Sequence, residues 1–391
     1  LKRSITACAI LLQLFTSQPV HAIVPPARFQ EHTIATDLKG GYQVVVADLN
    51  RDGRPDLIAL GSGMSELVWF ENPGWKRHVL ASGLSRMINL AAWDTDGDGI
   101  PEIVLAHEFA NDPAQSVGIV SLLRHRGDPT EPWQVTEIDR LPTSHRLRWC
   151  DIDGGGRKVL VNAPLAAASA RPPDYRGKVP LVFYRPGSWK RELISDEIEG
   201  VLHGIFILDW DGNRREDILI ASFLGIDLFR LGTNKQWKRT SLAAGNPAPW
   251  PKSGSSEIAV GWLGKERLLC TIEPWHGNQV VVYRQRKQSW DRQMIDDGLD
   301  DGHTLLAADL NHDGRDEIIA GYRGKGRSVY IYSADDPKGN RWTRQTLDNG
   351  GIAAAACTIA DFNGDKRPDI ACIGSATANL KWYENLGAWQ Q

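Results

Sequence analysis

"DLNHDGRDEIIAG", residues 309–321, sets oxygen-bearing side chains at its first, third, fifth and ninth positions and then runs into an apolar stretch. The pattern recurs as "DLNRDGRPDLIAL" from Asp48, "DTDGDGIPEIVLA" from Asp94, "DWDGNRREDILIA" from Asp209 and "DFNGDKRPDIACI" from Asp361. A reduced copy, "DIDGGGRKVLV", starts at Asp151, and "GWLGKERLLCTIE" from Gly261 holds a seventh place without the acids. A second motif puts an aromatic ahead of a short alternating run: Trp75, Trp133, Trp189, Trp237, Trp290 and Trp342, with Phe29 as the seventh. The two motifs interleave strictly, which marks one repeating unit of about fifty residues.

Each unit has an apolar run before the acidic loop, a Val/Ile/Leu run after it, a third run such as "SVYIYS", and the aromatic-led fourth. Four short strands with turn signals between them, repeated seven times, predict an all-β, seven-bladed propeller. The Phe29 strand precedes the first acidic loop and the last unit runs out near Trp389. The N-terminal strand is therefore expected to complete the seventh blade and close the ring. An open solenoid would need capping units at both ends, and neither end has the look of one.

Bulk properties agree with a soluble globular chain: 391 residues, 42% hydrophobic and 24% charged. A net charge of -3 carries no basic footprint of the kind nucleic-acid binding leaves. Residues 1–22 read as a secretory signal, with Lys2 and Arg3 ahead of an apolar run from Ile5 to Phe15 and a small-residue cleavage site ending at Ala22. The expectation is a secreted or periplasmic propeller over residues 23–391, with no membrane segment after cleavage. Cys150, Cys270, Cys357 and Cys372 each lie in an apolar run, where a disulfide and a buried free thiol are equally compatible.

The acidic loops present the ligand set of a hard cation, since calcium takes six to eight oxygens on a tight loop. The expected calcium ligands are Asp48, Asn50, Asp52 and Asp56; Asp94, Asp96, Asp98 and Glu102; Asp209, Asp211, Asn213 and Asp217; Asp309, Asn311, Asp313 and Glu317; and Asp361, Asn363, Asp365 and Asp369. An acidic turn held by side-chain to backbone hydrogen bonds is the other reading. This loop in repeated β units resembles the FG-GAP or VCBS repeats of integrin-like seven-bladed propellers, a likeness that implies fold rather than activity. A non-catalytic propeller that binds a glycan or a protein is the competing class.

Counting six residues back from each loop gives the expected start of the innermost strand, at the blade end away from the loop. In order these are Tyr42, Ile88, His145, His203, Ser255, His303 and Ala355. The next strand returns to that end, delivering His107 and Glu108, Glu273 and His276, and Arg323. Five histidines, a carboxylate and an arginine are thus expected at the funnel mouth, with Tyr42, His107, His145 and Trp275 as substrate contacts and Trp275 as a sugar-stacking wall. Imidazoles with a carboxylate can hold zinc or another divalent metal, here through His203, His276 and Glu273. A near-neutral histidine can also abstract a proton while a cation stabilises the oxyanion.

"IEPWHGNQVVVY", "LHGIFILDWDG" and "GHTLLAADLNHDGRDEIIAGYRG" resemble the propeller domain of the aldos-2-ulose dehydratase/isomerase family and its bacterial relatives. That resemblance implies β-elimination of water from a keto-sugar such as 1,5-anhydrofructose, a divalent metal at the propeller site, and a site core of His203, Glu273, His276 and His303 with Arg323 near a substrate oxygen. Fungal members carry cupin domains after the propeller, whereas this sequence ends at Gln391, so the isomerisation is left out of the expectation. Seven-bladed polysaccharide lyases also use histidine and arginine on such a face, which makes a glycosidic oxygen an alternative leaving group. "GKGR" at 324–327 and "GSGMS" at 61–65 read as turns, without the flanks of a phosphate loop or a nucleophile elbow.

Overall fold

The computed structural model describes residues 26–388; the expected signal segment lies outside the described residues. Twenty-eight strands, β1–β28 in chain order, form seven four-stranded antiparallel sheets. Blades 1 to 6 are built in order, the first running from β2 (Gly41–Ala47) to β5 (Lys76–Ser82) and the sixth from β22 (Gly302–Ala308) to β25 (Trp342–Asn349). Blade 7 takes β26 (Ala354–Ala360), β27 (Asp369–Gly374) and β28 (Leu380–Ala388) and is completed by β1 (Ala27–Ala35), which pairs antiparallel with β28. The expected closure by the N-terminal strand is therefore present. Each innermost strand packs on the next, from β2 round to β26 and back.

Second strands such as β3 (Asp56–Gly61), β15 (Asp217–Ser222) and β23 (Glu317–Tyr322) are buried along their whole length. They lie between blade neighbours on both faces, which explains their unbroken Val/Ile/Leu runs. Outer strands such as β17 (Trp237–Ala243) alternate instead, with the leading tryptophan partly buried against the core. Cys357 and Cys372 sit opposite each other on β26 and β27 and form a disulfide, while Cys150 and Cys270 are buried free thiols.

The innermost strands share an irregularity that alternation alone does not predict. In β2 (Gly41–Ala47), β10 (Ser144–Cys150), β14 (Leu202–Leu208), β22 (Gly302–Ala308) and β26, pairing with the second strand slips by one residue at the second position. The unpaired residues are Tyr42, His145, His203, His303 and Ala355, the expected register in five blades. A bulge of this kind re-aims a side chain and bends the strand. In blade 5 the register residue Ser255 precedes its strand β18 (Ile258–Leu263), so that blade meets the funnel by a loop.

Candidate functional site

The bulges turn four of these side chains into the funnel. His145, His203 and His303 are almost fully buried, and the Tyr42 hydroxyl lies 2.9 Å from His145 Nε2 and 3.1 Å from His303 Nε2. Beyond β19 (Glu266–Glu273) a turn carries Trp275 and His276 over this layer. His276 takes a left-handed backbone, φ 49°, and its Nε2 comes within 3.2 Å of His203 Nε2. With its side chain 28% exposed, His276 is the most accessible histidine of the group. His203, His276 and His303 each offer a ring nitrogen within 4.8 Å of the others.

Partners decide which nitrogens carry protons. His203 Nδ1 lies 2.8 Å from Glu257 Oε1, and His303 Nδ1 lies 2.5 Å from the Ala355 carbonyl oxygen. Facing acceptors, both Nδ1 atoms must be N–H, so both Nε2 atoms are lone pairs. Burial holds all four imidazoles below their ordinary pKa, with the neighbouring Arg146 adding for His145 and His203. His276 Nδ1 sits 3.2 Å from an Arg323 terminal nitrogen and 3.3 Å from Asp301 Oδ1, while Arg323 itself pairs with Asp301 at 2.9 Å.

Arg146, Glu257 and Asp301 belong to the site although the register does not name them. Arg146 follows His145, and strict alternation would send it to the opposite face; the bulge brings both inward. Its guanidinium donates to Glu257 Oε1 at 2.7 Å and reaches His145 Nε2 at 3.3 Å. Arg146 and His203 together draw the Glu257 carboxyl down to about 2, against the pull of burial. The signals available were the paired arginines Arg146 and Arg148 on inner strand β10 and a glutamate immediately before the apolar β18.

Glu273 is a correction. Its carboxylate is fully buried and engaged by Ser255 Oγ, Thr271 Oγ1, the Tyr283 hydroxyl and Arg292, so it braces blade 5 and makes no contact with the histidines. It ends β19 pointing between strands, and Glu257 supplies the carboxylate instead. His107 is likewise apart: its Nε2 bonds Ser121 Oγ at 3.0 Å inside blade 2, and Glu108 pairs with Arg86. Trp275 does wall the site, 4.8 Å from the His276 ring and 5.5 Å from Tyr175 by centroid.

On the opposite face the acidic loops curl as expected. Asp94, Asp96 and Asp98 bring carboxylate oxygens within 4.8 Å of one another, as do Asp209, Asp211 and Asp217. First-position acids also accept loop N–H groups, as Asp48 does from Asp52 and Gly53, Asp309 from Gly314 and Asp361 from Lys366. Third- and fifth-position oxygens do the same within their loops, Asn50 and Asn311 for Asp52 and Asp313, Asn363 for Asp365, and Asn213 for Arg215. The ninth-position acids Asp56, Glu102, Asp217, Glu317 and Asp369 each accept the N–H of their loop's second residue.

Comparison with known proteins agrees with this architecture. Residues 117–286 match the family model of the aldos-2-ulose dehydratase β-propeller domain, a stretch that holds His145, Arg146, His203, Glu257 and His276. Residues 48–105 and 309–372 match the FG-GAP-like repeat. Aldos-2-ulose dehydratase of Phanerodontia chrysosporium is 23% identical over 402 residues, an alignment that covers 88% of this chain and 43% of that protein. The chain thus spans less than half the length of that relative. The exotype rhamnogalacturonan lyase YesX superposes with a TM-score of 0.51 at 12% identity, over 94% of this chain and 75% of that one, a likeness of fold alone. The chain is a seven-bladed β-propeller that matches FG-GAP-like repeats over residues 48–105 and 309–372 and resembles the propeller domain of aldos-2-ulose dehydratase.

Proposed function

We propose that this propeller is a carbohydrate-active carbon–oxygen lyase that eliminates water from a keto-sugar of the 1,5-anhydrofructose type. The observation that carries the reading is His276, accessible at the mouth and braced by Asp301 and Arg323 on one nitrogen. With Nδ1–H turned to Asp301 and the ring swung clear of the His203 Nε2 lone pair 3.2 Å away, Nε2 takes the proton next to the substrate ketone. The electron pair moves onto the ketone oxygen, and Arg323 is the nearest cation to stabilise that enolate. Collapse of the enolate breaks the β carbon–oxygen bond, and the proton leaves with the departing oxygen as water. Trp275 offers a face for the sugar and excludes solvent.

The donor set also suits a divalent metal. Two nitrogens bound to one tetrahedral zinc lie about 3.3 Å apart, close to the His203–His276 spacing of 3.2 Å, and Glu257 behind His203 is the usual second partner of a ligating imidazole. His203, His276 and His303 would hold such an ion, zinc or another divalent metal, which would supply Lewis-acid polarisation of the ketone oxygen; in that arrangement His276 is a ligand and not the base. Calcium is proposed for the loops, with Asp94, Asp96 and Asp98 and with Asp209, Asp211 and Asp217 as the clusters that favour it. Export to an oxidising compartment is proposed from the Cys357–Cys372 disulfide and the leader-like residues 1–22.

The test is a panel of keto-sugars and uronide oligosaccharides followed by ultraviolet absorbance of the unsaturated product, alongside metal analysis of the purified protein. Turnover of a keto-sugar that is lost in His276→Ala supports the reading. Binding of sugars with no turnover across the panel would overturn it in favour of a glycan-binding propeller.

A further inference from the structure

Beneath the histidine layer the inner strands of blades 1, 2, 3, 6 and 7 enclose a central channel of about 430 Å³. Tyr42, His303, Arg146 and Glu257 form its ceiling, and Trp93 and Lys158 stand at the far end, on the calcium-loop face. The wall between mixes aliphatic residues such as Val45, Ala91 and Leu306 with the polar Gln43, Asn89, Thr304 and Thr358. Three cationic side chains line this space against one carboxylate. Arg146 is paired with Glu257 at 2.7 Å, and Lys158 with Glu216 at 3.0 Å.

Arg148 is different. One guanidinium nitrogen donates to the Leu147 carbonyl oxygen at 2.8 Å and to Asn89 Oδ1 at 3.3 Å, both neutral acceptors. Among the described residues no carboxylate forms an ion pair with it. Burial, with repulsion from Arg146, draws the group down to about 10, still a cation at neutral pH. A charge held partly out of water without a bonded carboxylate is costly, and restricted solvent around it strengthens its attraction for an anion.

We propose that the channel is an anion site in which Arg148, with Arg146 above it, holds a small oxyanion such as phosphate, sulfate or a carboxylate. Access is from the loop face rather than the mouth. Trp93 is 37% exposed and carries the Lys158 ammonium 4.7 Å above its ring. Both residues also line a neighbouring surface cleft of about 450 Å³, so the channel end meets solvent. The anion would neutralise the charge under the Arg146–Glu257 pair and fix the floor on which the histidines rest. This proposal does not depend on the lyase reading.

Isothermal titration of the full chain with inorganic phosphate, and separately with sulfate and acetate, tests it. One saturable site per chain is expected, about ten- to a hundredfold weaker in Arg148→Gln, the loss that follows from a charge-assisted hydrogen-bond pair. Arg148→Lys, which keeps the charge without the fork, should bind with intermediate affinity and serves where the glutamine variant fails to fold. His276→Ala should leave anion affinity unchanged, which separates this site from the one at the mouth. In anion-free buffer Arg148→Gln should melt no lower than the parent protein. Absence of saturable binding, equal affinity in Arg148→Gln, or a lower melting temperature of that variant without anion would each overturn the proposal.

Discussion

His276 and His203 face each other across 3.2 Å as neutral rings, and their environment explains why neither takes a proton. Each is desolvated, and each has a guanidinium beside it, Arg323 for His276 and Arg146 for His203. Protonation would put a cation next to a cation in a low-dielectric site. Asp301 and Glu257 orient the rings without reversing that balance. A base held this way stays competent in mild acid. We expect the acid limb of kcat/KM to lie well below the ordinary histidine value of 6.5, and a limb at or above 6.5 would exclude His276 as the base. His276→Ala should cost roughly a hundred- to ten-thousandfold in kcat, the usual worth of a general base. Its melting temperature should be nearly unchanged, because the side chain is partly exposed and fills no cavity. The histidine register was legible by counting back from the loops. Arg146 was not, because alternation places consecutive residues on opposite faces and only a bulge can turn both inward. Glu273 was misread for a related reason: its position at a strand end says how far along the blade it lies, not which way it points.

The loops show a second device, shared between blades. Blades 3 and 5 lack the later loop acids, and in each case the following blade supplies one. Glu216 accepts the Asp151 N–H at 2.6 Å and donates its own N–H to the Asp151 carbonyl oxygen at 2.8 Å. Asp316 does the same for Trp262, at 2.9 Å and 2.7 Å. Both are eighth loop residues, and at that position blades 1, 2 and 7 carry Pro55, Pro101 and Pro368, which have no N–H to give. Blades 1 and 7 clasp their neighbours differently, through Asn72 to the Phe362 carbonyl oxygen and Asn385 to that of Leu310. This pattern was present in the sequence, but its meaning depends on which blades are adjacent and which loop is intact. Asp316→Ala removes the acceptor of the Trp262 N–H, a solvent-exposed bond, and should destabilise the protein by about 0.5–1.5 kcal/mol, read from a shifted denaturant midpoint. Calcium can be examined at the same scale. Burial raises Asp56 and Asp217 to about 6 and Glu317 to about 8. A carboxyl raised in the fold is bound to its proton there but not in the unfolded chain. Stability from these groups is therefore present at low pH and lost as pH climbs from about 4 through these values. A bound cation reverses that loss, so chelation should lower the melting temperature more at pH 8 than at pH 5, and an equal effect at both would remove these acids from the ligand set.

At the scale of the whole molecule, closure rests on one strand. Sevenfold repetition and the early Phe29 strand made the ring readable, since a repeat that begins with its fourth strand can finish its last blade no other way. β1 supplies the outer edge of blade 7, with Phe29 opposite Asn385, His32 opposite Trp382 and Ala27 opposite Ala388. Without β1, the nine-residue β28 becomes an open edge, and such edges recruit strands from other chains. Deleting residues 27–35 should therefore yield a protein with a lowered melting temperature that forms oligomers on size exclusion. The alternative explanation, that any change near the termini is harmful, is separable by permutation. Because Ala27 pairs with Ala388, β1 can follow β28 through a short hairpin linker in a chain that begins at Thr36. That permutant keeps every strand pairing and loses only the link between β1 and β2. It should keep the elution volume of the parent chain and melt within a few degrees of it, since closing one short surface loop in place of another changes the entropy little. If the permutant aggregates as the deletion does, ring closure by β1 is not what holds blade 7, and the stability of that blade must come from its packing against β2.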